Sequence, residues 1–90
     1  MNLEKLFQMQ KELDDRILAE HPIQEGEDRL AKKILALLVE LGELANEWRG
    51  FKYWSNDQKP RKHLLEEYVD CLHFILSIGN DLGFKHTICP

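Results

Sequence analysis

Residues 34–50, ILALLVELGELANEWRG, and residues 64–83, LLEEYVDCLHFILSIGNDLG, decide the fold between them. In the first stretch Ile34, Leu37, Leu38, Leu41, Leu44, Ala45 and Trp48 recur at helical spacing. Glu40, Glu43 and Glu47 fall together along one flank of that stripe. In the second, Leu64, Leu65, Tyr68, Val69, Cys71, Leu72, Phe74, Ile75, Leu76 and Ile78 wrap most of a helix, while Glu67 and Asp70 share a face. A three-residue step leaves two helical side chains roughly 60° apart. Two such helices, joined by a short connection and packed antiparallel, bring Glu40, Glu43, Glu67 and Asp70 to one place.

A single Glu-x-x-Glu is a weak signal, because acidic residues fill exposed helix faces everywhere. On such faces a lysine or arginine one turn away normally offsets the charge. Residues 34–46 and 66–81 contain neither. Four carboxylates held close without compensation repel one another. A hard divalent cation with oxygen ligands removes the conflict, and Mg²⁺ characteristically brings a phosphate-bearing substrate with it.

Outward from this pair, a first helix is expected over residues 2–20, with Leu3, Leu6, Phe7, Leu13, Ile17 and Leu18 on its apolar face. Pro22 ends it, and residues 21–27 form a loop around Gly26. Asp28 is the expected N-cap of the second helix, which runs to Arg49 with Gly50 as its C-terminal cap. A polar loop follows over residues 51–60 and holds Phe51, Tyr53 and Trp54. The third helix is expected over residues 61–82, ending at Gly83. Residues 1–83 thus make one all-α domain, an antiparallel helical bundle, and residues 84–90 an irregular tail. Two neighbouring helices cannot cover the broad apolar surface of the third, so self-association to a homodimer or a higher assembly is expected.

The chain has 90 residues and a formal net charge of -4, which argues against nucleic acid or an acidic membrane as partner. No apolar run approaches the roughly 18 residues of a membrane span. The start, MNLEKLFQMQKELDD, lacks the basic region and apolar block of a signal peptide. Cys71 lies mid-helix and Cys89 in the tail, giving no metal-type pair and no disulfide framework. A soluble, cytoplasmic protein is expected.

The sequence VELGELANEWRGFKYW (39–54) followed by LEEYVDCLHFILSIG (65–79) resembles the dimeric dUTPase family, within the all-α nucleoside triphosphate pyrophosphatases of the MazG type. Family members show an ExxE start, an aromatic loop and an E-x-V-D-x-x-H-F-x-L-S run. Here that run is matched by Glu67, Val69, Asp70, His73, Phe74, Leu76 and Ser77. The resemblance implies Mg²⁺-dependent hydrolysis of dUTP and dUDP between the α and β phosphates to give dUMP. It implies Glu40, Glu43, Glu67 and Asp70 as metal ligands, with Glu40 or Glu43 positioning the attacking water. His73 matches a histidine near the deoxyribose. For the base the family uses a first-helix amide and loop aromatics. Gln10 is that amide in one register and Asp14 takes the matching place in another. Phe51 and Trp54 match the family's two loop tryptophans after one extra residue, with Lys52 between them. Lys52, Lys59, Arg61 and Lys62 are within reach of phosphates or are ordinary solvated loop charges. Family members are longer and hold the outer phosphates with cations on later helices, for which these 90 residues offer no counterpart. Two alternatives follow from the residues: a MazG-type enzyme acting on another (deoxy)nucleoside triphosphate, or a catalytically weak helical association module.

Overall fold

The computed structural model describes residues 1–84. It contains three helices, α1 (Leu3–Glu20), α2 (Arg29–Trp48) and α3 (Leu64–Asp81), and no strand among the described residues. The all-α reading holds. None of these helices is long and apolar enough to cross a membrane. Of the expected 84–90 tail only Phe84 is described, and Cys89 lies outside the described residues.

Side chains start the first two helices where the sequence places them. Asn2 accepts from the Lys5 N–H at 3.0 Å, and Asp28 accepts from the Ala31 N–H at 3.0 Å. The loop between them is closed from both sides. Gly26 turns it with φ 77°, and the Arg29 guanidinium reaches back to the His21 carbonyl at 2.6 Å. Glu27 accepts from Arg29 at 2.9 Å and from the Gln24 N–H at 2.8 Å. The Arg29 guanidinium holds the Glu27 carboxyl down to about 2.

Two boundaries differ from expectation. The left-handed residue ending α2 is Arg49, with φ 68°, not Gly50. Arg49 donates its N–H to the Ala45 carbonyl at 2.8 Å and its Nε to the Asp57 carbonyl at 3.0 Å, which hold it in this conformation. Gly50 is needed for another reason: the Trp48 indole lies over it, and a Cβ there would overlap the ring. The third helix begins at Leu64, not Arg61. Residues 61–63 form a turn, in which the Leu64 N–H bonds the Arg61 carbonyl at 3.3 Å. The Arg61 N–H donates to the Glu47 carbonyl at 2.7 Å, so this turn ties the loop to the end of α2. The far end of α3 is a Schellman cap. Gly83 (φ 76°) donates to the Asn80 carbonyl at 3.1 Å, and Phe84 to the Gly79 carbonyl at 3.0 Å.

Packing makes α3 the central element. α2 packs along it most extensively and α1 packs on it as well, whereas α1 and α2 do not pack on each other. Phe7 of α1 lies against Gly79, and the Asn80 amide donates to the Phe7 carbonyl at 3.0 Å. Lys33 and Asp81 pair at 2.7 Å across the α2–α3 ends. The core is slight: among the described residues only Cys71 and Leu76 are buried apolar side chains, both on α3. Leu35 (63%) and Leu38 (60%) on α2 and Leu65 (72%) on α3 stay exposed.

Candidate metal centre and adjoining cavity

The antiparallel packing of α2 on α3 brings the two acidic pairs together. Ligand oxygens of Glu40, Glu67 and Asp70 all lie within 4.8 Å of one another. Glu43 stands on the exposed side of the group, close enough that its carboxylate interacts with both Glu40 and Glu67. Glu40 and Glu67 are half-buried, and their Oε2 atoms are buried with no hydrogen-bond partner. Among the described residues that are not themselves exposed, these two are the buried side-chain oxygens or nitrogens without a partner.

The electrostatics follow from that crowding. Burial pushes the Glu67 carboxyl up to about 7, with Glu43 and Glu40 adding to the rise. The Glu40 carboxyl is raised as well, by burial first and by the Glu43 charge second. Cys71, buried directly behind the acids on α3, has its thiol raised by burial and by the same carboxylates. A cluster of anions forced towards protonation, with two orphaned oxygens, fits a hard divalent cation by the chemistry of its donors.

One turn beyond Asp70, α3 presents His73 to a cavity of about 460 Å³ between α1, α3 and the start of α2. Gln10, Asp14, His73, Phe74 and Ser77 line it, with Lys32 and Ala36 on the α2 side. His73 Nδ1 and Gln10 Oε1 are 2.6 Å apart, and the Gln10 amide donates to Asp14 at 2.9 Å. Ser77 donates to the other Asp14 oxygen at 2.7 Å. Gln10 is buried, with one amide hydrogen and the amide oxygen engaged by the protein itself.

Phe51, Lys52 and Trp54 do not line this cavity. They sit on the α2–α3 loop, Phe51 and Trp54 edge-to-face at 6.0 Å between centroids, with Lys52 Nζ 5.8 Å from the Phe51 ring centroid. Phe51 and Trp54 are exposed. Arg61 pairs with Asp57 at 2.7 Å, so its charge is spent within the loop. The structure thus joins the four acids in one centre and Gln10 with His73 in one cavity, of which the aromatic loop lines no part.

Ser77 was not singled out from sequence, and Asp14 was weighed only as an alternative to Gln10. A signal for both exists. Gln10 and Asp14 are four apart on α1, His73 and Ser77 four apart on α3, each pair set within an apolar surface. Polar pairs at matching spacing on two packed helices are candidates to bond each other.

The family model described as dUTPase matches residues 2–89 of the chain, a span that takes in all three helices and the aromatic loop. No curated protein matches it.

Proposed function

This chain belongs to the dUTPase family, and on that premise we propose that it hydrolyses dUTP and dUDP between the α and β phosphates, releasing dUMP, with Mg²⁺ as cofactor. The observation that carries this reading is the four-acid centre on α2 and α3 with its two partnerless buried oxygens. Glu40, Glu67 and Asp70, whose oxygens converge, would hold the metal together with Glu43. Bound there, Mg²⁺ would neutralise phosphate charge and acidify a coordinated water.

The remaining work falls to the chain. Glu43 and Asp70 are the exposed members of the group, and of the two we assign Glu43, whose carboxylate acts on both Glu40 and Glu67, the attacking water's proton, as general base, with Glu40 as its neighbour in positioning. The water oxygen bonds to one of the two phosphorus atoms that flank the α–β bridging oxygen while that atom's bond to the bridging oxygen breaks. The products are dUMP and pyrophosphate from dUTP, or dUMP and phosphate from dUDP. The deoxyuridine occupies the cavity of His73 and Gln10, which at about 460 Å³ is of a size for a nucleoside. Phe51 and Trp54, which do not line this cavity, would have to be carried over it to offer ring faces to the base, and Lys52 with them to offer a cation to the phosphates.

We further propose that the protein works as a homodimer or higher assembly. An apolar groove of about 710 Å³, lined by Leu41, Leu44, Trp48, Leu64, Leu65 and Tyr68, supports this, as does the slightness of the core.

Turnover of dUTP, dUDP, dCTP, dTTP and dATP, each with Mg²⁺ and with EDTA, tests the assignment. Mg²⁺-dependent cleavage of dUTP and dUDP above the others is expected. Preference for another base would place the chain with enzymes that clear other nucleotides. Silence on all five, alongside measurable Mg²⁺ binding, would leave a metal-binding helical module.

A further inference from the structure

The hydrogen-bond chain between α1 and α3 has a direction, and Asp14 sets it. Both Asp14 carboxylate oxygens accept, one from the Gln10 amide at 2.9 Å and one from the Ser77 hydroxyl at 2.7 Å. A carboxylate has no proton to give, so the Gln10 side chain must turn its NH₂ towards it. The flipped amide would set oxygen against oxygen. Gln10 is 5% exposed and Ser77 3% exposed, so water does not readily substitute for these bonds. With its nitrogen committed, Gln10 points its oxygen at His73 Nδ1, 2.6 Å away. An amide oxygen only accepts, so Nδ1 must carry the hydrogen.

We propose that Asp14 is a positioning residue that acts through Gln10 to fix neutral His73 as its Nδ1–H tautomer, leaving Nε2 as a hydrogen-bond acceptor for a hydroxyl of the ligand. A charged ring also keeps its Nδ1 hydrogen in this bond, so on becoming neutral it gives up the one on Nε2. The cavity lined by His73 therefore selects a ligand that donates at this point. That the donor is a sugar hydroxyl rests on the nucleotide reading; the tautomer rests on the hydrogen bonds alone.

Long-range ¹H–¹⁵N NMR of ¹⁵N-histidine-labelled protein at about pH 8, where an ordinary imidazole is neutral, reads the tautomer without any substrate. His73 is assigned by its absence in His73→Gln. The wild-type chain is expected to show a protonated Nδ1 and a bare Nε2. Asp14→Asn preserves shape but both donates and accepts, so it permits either orientation of Gln10. It should give a mixture of the two tautomers, and Asp14→Ala should do the same. A protonated Nε2 in the wild-type chain overturns the proposal, even if neither variant folds. An unmixed Nδ1–H tautomer retained in both variants removes Asp14 from the role. Either result leaves the metal centre and the dUTP reading untouched, since those are judged by turnover.

Discussion

With its carboxyl raised to about 7, Glu67 binds a proton in the folded chain at pH values where the unfolded chain, at its ordinary 4.5, has released it. The native state thus binds more protons across that window, and stability falls as pH rises through it. Without divalent cations, the melting temperature is expected to drop between about pH 5 and about pH 8, and Glu67→Gln should flatten the drop. Saturating Mg²⁺ should reverse the trend, because ionised carboxylates bind it best. Glu27 acts in the opposite direction: its carboxyl is lowered to about 2, so its contribution is present above 4.5 and lost as pH falls further. A melting temperature in EDTA that rises from pH 5 to 8 would contradict the strained-cluster account. Glu43→Gln should cut kcat/KM by about 100-fold or more, as loss of a general base does, and, because Glu43 also helps hold the metal, should raise the Mg²⁺ concentration needed for turnover. At this scale the acids were legible, since spacing and missing bases are properties of the string. The Asp14–Ser77 bond was not, because it depends on how α1 slides along α3.

Each helix is closed by a local device with a testable worth. Asp28→Ala removes the α2 N-cap and should cost about 1 kcal/mol in urea unfolding. Gly83→Ala forces a side chain into the left-handed region at the α3 cap and should cost about 1 kcal/mol as well. A change near zero at Asp28 would show that the α1–α2 loop, through Arg29 and Glu27, holds the helix start unaided. Most element ends could be read from sequence because Asn2, Asp28, Pro22 and Gly83 act within a few residues of themselves. The two misplaced ends depend on distant atoms. Arg49 is held left-handed by a carbonyl eight residues away, and the turn before α3 is anchored to Glu47 at the end of α2. Propensity near the boundary carries no trace of such contacts.

At the scale of the whole molecule, the described helices bury too little apolar surface to stand alone comfortably. Burial of a large aliphatic side chain contributes about 1.5–3 kcal/mol, and here only Cys71 and Leu76 lie inside. The bundle and its order along the chain followed from the sequence. The inferred second copy rests on an excess of exposed apolar surface, which shows that a cover is needed but not its shape. Sedimentation velocity at micromolar concentration is expected to find a dimer or larger. Leu65→Lys, at the rim of the groove of Tyr68 and Leu41, should shift it to monomer with reduced helicity. A stable wild-type monomer would contradict the assembly and leave the acid centre standing. The four-acid centre is assigned to cleavage of the bond between the α and β phosphates. The most direct measurement is ³¹P NMR of dUTP incubated with the protein, with Mg²⁺ and again with EDTA. dUMP and pyrophosphate appearing only with Mg²⁺ is the predicted result; dUDP and phosphate, or the same products in EDTA, would contradict it.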